Sequence, residues 1–331
     1  MSLALLLCLP AITVCLALQG SVRSYAALGD SYAAGNGAGS TSLLPHLDAT
    51  CGRFSHAYPV QVAEYFDLNH HWYSSDFRNK ACGGATTTTV LLKQLSHIVG
   101  ADLITIQVGG NEVDFFPLLN ECIQQWHPLS TCDREVTRAR SILKSSNFVN
   151  DFDRMVKATL RLKRNKARLL VLGYARFFDA ESEQCNRVSF SVSNPANVLS
   201  NKLRRTMNDL VDLLNAVIRS SAEANNVEYI NVDELFEGHR FCRNDTIEPK
   251  PDNSQTWFFR SAPAVEIASS PRTFDYQALS SFSDLTRTFH PTKEGHQAIA
   301  RTIKLMIADR IVAERRDSYV PNDEQSVVSM V

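Results

Sequence analysis

Short apolar runs alternate with long amphipathic helical patterns along most of this chain, and this alternation restricts the fold more than any other feature. The apolar runs end in glycine or polar residues, which is typical of strands buried on both faces of a parallel sheet. Strands that alternate with helices form βαβ units. The sequence therefore predicts an α/β fold: a doubly wound, three-layer α/β/α sandwich around a central, mostly parallel five-stranded sheet.

The individual elements follow from the same pattern. The predicted strands are Tyr25–Gly29, Asp102–Gly110, Ala167–Tyr174 and Val227–Val232, with His70–Ser75 as a weaker candidate. The predicted helices are Thr86–Val99, Phe148–Asn165, Val198–Asn225 and Lys293–Arg315. The stretch Phe241–Phe289 has no clear periodicity, and we expect it to shape one side of a site. No repeat or linker divides the sequence, so we expect one main domain.

The first twenty residues form a separate segment. Residues 3–18 carry no charge, and this run is shorter than the ~20 apolar residues that cross a bilayer. It resembles the apolar core of a secretory signal peptide, although no Lys or Arg precedes it, and a retained anchor is the alternative. We expect a signal peptide over 1–20, the main domain over 21–315 and a flexible tail over 316–331. The mature protein is then secreted, without a stable membrane anchor.

Cysteine usage agrees with export. Of eight cysteines, two lie in the leader and six are dispersed through the rest of the chain without C-x-x-C spacing. This spacing argues against zinc ribbons and thioredoxin-like sites. Six dispersed cysteines behind a leader predict three disulfides, for which 15 pairings exist. Asn244 begins an Asn-x-Thr sequon in a polar stretch and is a candidate glycosylation site.

The charge balance and a few motifs exclude other classes of ligand. The formal net charge is −1, which favours neither nucleic acid nor an anionic membrane as partner. The segment GNGAGS does not match the G-x-G-x-x-G pattern of nucleotide sites. His70 and His71 are adjacent on a candidate strand, so they point to opposite faces and cannot share a metal. His296 is interpreted as structural. We expect a monomer with no cofactor and no metal.

The stretch YAALGDSYAAGNGAG, residues 25–39, leads a predicted strand directly into Ser31 among several glycines. Doubly wound folds place their ligand crevices at the carboxyl ends of strands. Three further segments, Asn79–Thr87, Val108–Phe115 and Thr288–His296, are expected in loops at the same edge. Each segment alone is more often an ordinary turn. Their combination indicates a reactive site.

A serine hydroxyl becomes a nucleophile when a base accepts its proton, and the tetrahedral intermediate needs donors for its oxyanion. The four segments contain candidates for the nucleophile, the base and the oxyanion donors. We expect Ser31 to be the nucleophile and His290 the base. The expected oxyanion donors are the Ser31 and Gly84 backbone N–H groups and the Asn111 side-chain amide.

These blocks resemble those of the SGNH (GDSL-type) hydrolases. The nucleophile block is similar to GDSYAAGNG, the second to CGGATT, the third to GGN and the last to FHPTKEGH. In order and approximate spacing the resemblance covers Tyr25 to about Ala313. It implies the SGNH, flavodoxin-like fold and assigns the roles given above to Ser31, Gly84, Asn111 and His290.

Within the family, the opening block and the cysteines look most like secreted bacterial and fungal esterases and lipases with sequential disulfides. This resemblance implies the pairs Cys51–Cys82, Cys122–Cys132 and Cys185–Cys242. The first pair would tether the loop after the nucleophile to the oxyanion glycine.

The chain departs from the family pattern at two positions. Many members carry Asp three residues before the histidine, whereas this chain has Arg287. As in some secreted relatives, the main-chain carbonyl of Arg287 is expected to orient the imidazole, with Asp284 as a competing carboxylate. Glu112 stands where an Asp often follows the third-block Asn, which leaves the Asn111 amide in place.

The leading hypothesis is a secreted, cofactor-free serine esterase or lipase acting on a small-molecule or lipid ester. A polysaccharide acetylesterase of the xylan or pectin type is the alternative, since the same groups serve both reactions. Trp257, Phe258 and Phe259 either line an acyl pocket, stack on sugar rings or pack in the core. From another class, a non-catalytic binding module on the same fold remains open.

Overall fold

The computed structural model describes residues 22–41, 50–68, 76–126, 128–191, 193–244, 248, 254–260, 265–266 and 287–318, with side chains to residue 309. The expected signal peptide, the candidate strand His70–Ser75 with both histidines, and Asp284 lie outside the described residues. Residues 316–318 of the expected tail belong to the last helix, and the rest of the tail lies outside.

Five parallel strands form the central sheet, in the spatial order β2-β1-β3-β4-β6. Their bounds are β1 Tyr25–Gly29, β2 Phe77–Asn79, β3 Leu103–Gln107, β4 Arg168–Leu172 and β6 Glu228–Ile230. A separate two-stranded antiparallel sheet joins β5 Val188–Ser189 to β7 Val265–Glu266. The predicted α/β class and five-stranded sheet are confirmed.

Helices connect these strands. They are α1 Ser31–Ala34, α2 Tyr58–Tyr65, α3 Thr87–Thr89, α4 Phe115–Leu119, α5 Cys132–Leu143, α6 Ser146–Leu162, α7 Asn201–Ala224, α8 Val232–Leu235 and α9 Lys293–Ser318. The predicted helix Thr86–Val99 is divided: α3 continues as a π-helix, Val90–Gln94, and a 3₁₀ helix, Leu95–Ile98. A 3₁₀ turn, Gly110–Val113, follows β3, and a π-helix, Asn120–Gln124, follows α4.

Apolar burial explains why the inner strands were recognisable. All five residues of β1 and of β3 are buried, so both read as continuous apolar runs. β2 has three residues with half-buried Arg78 at its centre, and it pairs with β1 at the edge of the sheet. Such a short, partly polar strand gives no periodic signal, and it was not predicted.

The strand order changes direction between β1 and β3. From β1 the chain moves outward to β2, then returns to place β3 on the other side of β1. A reversal of this kind opens a crevice at the carboxyl ends of the two strands. Ser31 lies just beyond β1, and Asn111 lies just beyond β3. The topology therefore brings the first and third candidate blocks together.

Three disulfides hold the loops around this sheet: Cys51–Cys82, Cys122–Cys132 and Cys185–Cys242. They are the pairs that the resemblance implies. The described helices include none that is long and apolar enough to span a membrane.

Candidate active site

Ser31 occupies the first position of α1, and only Asp30 separates it from the end of β1. Asp30 caps the helix, since its carboxylate accepts a hydrogen bond from the Tyr32 N–H at 2.9 Å. Gly29 has φ +139°, and a Cβ there would lie 2.1 Å from the Gln107 carbonyl oxygen, so only glycine fits. The Gln94 side-chain amide binds the N–H and C=O of Gly29 at 2.8 and 2.9 Å. The backbone that carries Ser31 is thus fixed from both sides.

The imidazole of His290 reaches Ser31 across 259 positions of sequence. Its Nε2 lies 2.7 Å from the Ser31 Oγ. Its Nδ1 lies 3.2 Å from the Arg287 carbonyl oxygen and 3.3 Å from that of Thr288. Because both Nδ1 neighbours are acceptors, Nδ1 carries the proton and Nε2 is left to accept the serine O–H. Arg287 thus contributes its main-chain oxygen, and Thr288, which the sequence did not single out, contributes a second.

Burial sets the charge of this histidine. Removal from water lowers the pKa of His290 to about 4, and the hydrogen bonds to the Thr288 and Arg287 carbonyls oppose this shift without reversing it. The imidazole is therefore neutral at ordinary pH, the state in which Nε2 can accept a proton. Asp284, the competing partner for Nδ1, lies outside the described residues.

A hydrogen bond joins α1, which carries Ser31, to the turn that carries His290. The Tyr32 hydroxyl donates to the Phe289 carbonyl at 2.6 Å. Phe289 has φ +65°, a left-handed conformation that a bulky residue rarely adopts. The bond from the serine helix therefore holds the strained turn that aims His290. No motif at the sequence level pointed to Tyr32.

The expected oxyanion donors border the same space. Gly84 has φ +78°, and a Cβ added to it would meet no atom within 4 Å, so its surroundings are open. In the described part of the chain neither the Ser31 nor the Gly84 N–H donates to a protein acceptor. Asn111 Nδ2 donates to the Ala85 carbonyl at 2.9 Å, which leaves its second proton for a ligand. All three groups face one cavity.

Glu112 has a clear local role. Its carboxylate accepts a hydrogen bond from the Thr87 N–H at 2.6 Å, at the start of α3. Burial raises the pKa of Glu112. The contact joins the Asn111 turn to the segment after Gly84, so the longer side chain braces the two segments that carry expected oxyanion donors against each other.

The cavity over Ser31 has a volume of about 560 Å³. Its polar wall contains the groups just described, and its remaining wall is largely apolar, with Phe115, Phe116, Leu119, Phe177 and Val211. A hydrophobic hollow with a few convergent polar groups is typical of a small-molecule site.

The Cys51–Cys82 disulfide braces one rim of this cavity. The Gly83 N–H donates to the Cys51 carbonyl at 2.8 Å, and a Cβ built on Gly83 would lie 3.9 Å from the Ser31 Cβ. The disulfide therefore positions the glycine loop against the serine.

Asp30 is a buried acid next to Ser31 that sequence reasoning missed. Its carboxylate accepts a hydrogen bond from the Tyr174 hydroxyl at 2.6 Å. Burial raises the pKa of Asp30 to about 7, although the bonds from Tyr174 and Tyr32 oppose the change. The sequence shows that Asp30 is next to Ser31, but not that Tyr174, two residues beyond the end of β4, is its partner.

Other candidates fall outside the site. Trp257 stacks on His239 with ring centroids 3.5 Å apart, Phe258 packs against Phe236 in the core, and the Phe259 ring faces the Arg287 guanidinium. These aromatics do not line the cavity. His296 is fully buried, accepts from the Tyr58 N–H at 3.3 Å and has its pKa lowered by burial to about 3.

Asn244 is exposed. Within the described ranges no three His, Cys, Asp or Glu side chains are grouped so that they could hold a metal.

The chain is similar to one known protein family and to characterised lipases. The model of the GDSL-like lipase/acylhydrolase family matches residues 27–298. A lipase from Streptomyces rimosus is 32% identical over 219 residues, 66% of this chain and 73% of the relative. Lipase 1 from Streptomyces coelicolor is 30% identical over 227 residues, 68% and 75% of the two chains.

Solved structures agree with this assignment. The crystal structure of an extracellular lipase from Streptomyces rimosus superposes with a TM-score of 0.61 at 25% identity, covering 86% of this chain and 99% of that one. A phospholipase A1 from Streptomyces albidoflavus shares the fold, with a TM-score of 0.60 at 24% identity over 86% and 99%. The chain therefore belongs to the GDSL-like lipase/acylhydrolase family and is a carboxylic ester hydrolase.

Proposed function

We propose that this protein is a secreted serine esterase or lipase that forms an acyl-enzyme on Ser31. The observation that carries the proposal is the 2.7 Å contact between Ser31 Oγ and the neutral His290 Nε2, at the polar end of an apolar cavity. This distance lies within the reach required of a general base and its nucleophile. His290 is the general base, and Ser31, Gly84 and Asn111 are the oxyanion donors.

In acylation, the Ser31 Oγ attacks the ester carbonyl carbon as His290 Nε2 takes the hydroxyl proton. The carbonyl oxygen becomes an oxyanion, which the Ser31 and Gly84 N–H groups and the Asn111 amide stabilise. The intermediate collapses when the alkoxide leaves with the proton from Nε2. The acyl group is then joined to Oγ, and the alcohol is released.

In deacylation, His290 takes a proton from water, and the resulting hydroxide attacks the acyl carbonyl. The same donors stabilise the second oxyanion. Collapse returns the proton to Ser31 Oγ and releases the carboxylic acid. Throughout, the Arg287 and Thr288 carbonyls hold the Nδ1 proton and stabilise the transient imidazolium, so the site operates as a dyad with main-chain support.

Three features support the choice of acyl esters and of export. The apolar side of the cavity suits an acyl chain, whereas Trp257, the residue best suited to stack on a sugar, lies against His239 instead. Three disulfides suit an oxidising environment. The similar Streptomyces rimosus lipase is extracellular.

Replacement of the nucleophile tests the proposal. We expect Ser31→Ala to lose about four or more orders of magnitude in kcat for p-nitrophenyl esters and all labelling by a fluorophosphonate probe. Ser96→Ala, at an exposed serine in the Leu95–Ile98 helix, is the matched control and should keep both. Turnover near the wild-type rate in Ser31→Ala would contradict the proposal. Faster hydrolysis of acetylated xylan than of longer-chain p-nitrophenyl esters would favour the polysaccharide esterase.

A further inference from the structure

Tyr174 is a buried tyrosine in the wall of the cavity over Ser31, and the proposed mechanism gives it no role. It lies two residues beyond the end of β4, which places it at the same edge of the sheet as Ser31 and Asn111. Its hydroxyl donates to the Asp30 carboxylate at 2.6 Å. A side chain from a third strand end is therefore bonded to the segment that carries the nucleophile.

The backbone of Tyr174 is held by a pair of hydrogen bonds to one amide. The Tyr174 N–H donates to Asn215 Oδ1 at 2.8 Å, and Asn215 Nδ2 donates to the Tyr174 carbonyl at 2.8 Å. Asn215 is a buried residue of α7. One residue earlier, the Gly173 carbonyl accepts from the Gln107 side-chain amide at the end of β3, at 2.7 Å. Tyr174 therefore presents its hydroxyl from a fixed main chain.

The Asp30 carboxylate uses its two oxygens for two different partners. Oδ1 accepts from the Tyr32 N–H at 2.9 Å and so caps α1, whereas Oδ2 accepts from the Tyr174 hydroxyl. A serine or threonine has one side-chain oxygen, which is enough to cap a helix. The second oxygen is what Asp30 adds to capping. It ties α1, whose first residue is Ser31, to the segment that follows β4.

The Tyr174 ring reaches toward the histidine side of the site. It packs edge-on against the Tyr32 ring, with centroids 5.0 Å apart, and the Tyr32 ring lies 5.1 Å from the His290 imidazole. The Tyr32 hydroxyl in turn donates to the Phe289 carbonyl at 2.6 Å. Tyr174 therefore contacts the residue that holds the turn before His290, as well as the cap of the serine helix.

The same side chain adjoins the turn that carries Asn111. A Cβ built on Gly110 would lie 3.9 Å from both Tyr174 Cε1 and Asp30 Oδ2, so the Gly110 backbone packs against the bonded pair. Burial, followed by the charge of Asp30, raises the pKa of the Tyr174 hydroxyl well above its usual value, and a hydrogen bond from the Gly110 backbone opposes this. The hydroxyl therefore keeps its proton and remains a donor to Asp30.

We propose that Tyr174 is a positioning residue for ester hydrolysis, which acts through Asp30 to fix the direction of Ser31 Oγ relative to His290. The inference deepens the proposed function and rests on it. α1 has four residues, too few for a helix to keep its direction without outside contacts. The 2.7 Å contact between Ser31 Oγ and His290 Nε2 depends on that direction, and small misplacements of a nucleophile are costly.

Removal of one hydroxyl tests this role. Tyr174→Phe keeps the ring and its packing but leaves Asp30 Oδ2 without its donor. At pH 8, above the Asp30 pKa of about 7, we expect kcat for p-nitrophenyl butyrate to fall about tenfold, the effect of losing one hydrogen bond to a charged group. KM should stay within about twofold, because the apolar wall that receives the acyl chain is unchanged.

Tyr25→Phe is the matched control. The Tyr25 hydroxyl is also buried and shares a 2.8 Å hydrogen bond with the Thr105 hydroxyl, but neither residue lines the cavity. We expect Tyr25→Phe to lower the melting temperature about as much as Tyr174→Phe does, and to keep the wild-type kcat. Titration with a fluorophosphonate counts the reactive enzyme in each sample, so partial unfolding cannot be mistaken for a slower reaction.

A pair of inhibitors separates positioning from stability. An alkyl trifluoromethyl ketone forms a tetrahedral adduct with the serine, whereas the corresponding methyl ketone occupies the cavity as a ground-state ligand. We expect Tyr174→Phe to raise the Ki of the trifluoromethyl ketone about tenfold and to leave that of the methyl ketone within about twofold. A residue that only stabilises the fold would change neither Ki, because the folded fraction would bind both ligands as the wild type does.

A second variant tests whether Tyr174 acts through Asp30. Asp30→Ser keeps one oxygen for the Tyr32 N–H but offers none to Tyr174, and its kcat should also fall about tenfold. Addition of Tyr174→Phe to Asp30→Ser should lower kcat no further, because both changes remove the same bond. Asp30→Asn can contact both partners and should recover most of the activity. Losses that multiply in the double variant would overturn the inference.

A measurement without turnover separates this inference from the proposed function. In the Ser31→Ala background, amide hydrogen exchange in residues 29–36 and 108–114 should be faster with Tyr174→Phe than with Tyr25→Phe. Loss of the serine mechanism does not affect this readout. If Ser31→Ala is inactive while Tyr174→Phe equals Tyr25→Phe in kcat, in both Ki values and in exchange, the inference is wrong and the proposed function stands.

Discussion

The pH dependence of ester hydrolysis depends on how far His290 is buried. In the proposed mechanism His290 of the free enzyme must be neutral to accept the Ser31 proton, and burial lowers the pKa of His290 to about 4. Activity is therefore lost as the pH falls through about 4, whereas an exposed histidine would lose it near 6.5. At pH 5 the neutral fraction is roughly 90% for a pKa of 4 but about 3% for a pKa of 6.5, a difference of about 30-fold.

The assay is kcat/KM for a neutral p-nitrophenyl ester from pH 3.5 to 8, followed at the wavelength where the product's two ionic forms absorb equally. This ratio reports the pKa of groups in the free enzyme. Circular dichroism at each pH verifies that the protein stays folded. Unfolding releases His290 and His296, whose folded pKa values are depressed to about 4 and about 3. The stability that they contribute is present above about 6.5 and is lost as the pH falls toward these values.

Asp30 is the necessary control because it precedes Ser31 and its pKa is raised to about 7. Asp30→Asn removes this titration while leaving a side chain that can bond to the Tyr32 N–H and to Tyr174. We expect the acid limb near pH 4 to remain in Asp30→Asn. An acid limb between pH 6 and 7 that persists in this variant would refute the claim that burial keeps His290 neutral.

Three substitutions test the remaining parts of the site. Asn111→Ala should lower kcat about 10²–10³-fold with a smaller change in KM, the effect of losing one oxyanion donor, and a rise in KM alone would mean ground-state binding. Arg287→Ala keeps the carbonyl that receives the Nδ1 proton, so kcat/KM should stay within about threefold; a collapse without unfolding would assign the guanidinium a role. Tyr32→Phe leaves the Phe289 carbonyl without its donor and should lower kcat about tenfold and the melting temperature with it; wild-type kcat would show that the turn aims His290 unaided.

Local sequence patterns predict most of the central sheet and the edge at which the site lies. The buried strands Tyr25–Gly29 and Leu103–Gln107 show as apolar runs because both their faces are covered. Polar and glycine-rich segments directly after such strands must meet at one edge of a parallel sheet. This rule, together with the chemistry of serine and histidine, singles out Ser31, Asn111 and His290 from the sequence.

Local sequence patterns thus predict the fold class, the edge of the sheet that carries the site and the residue types able to hydrolyse an ester. The spacing of the cysteines left their pairing open, and the pairs that the structure shows are those that the family resemblance implied. The folded structure alone shows that the Thr288 carbonyl joins that of Arg287 at His290 Nδ1, and that Tyr174 reaches Asp30. Hydrophobic periodicity indicates only which faces of a helix or strand are buried. Side-chain hydrogen bonds and pKa shifts depend on groups that folding brings together from distant parts of the chain.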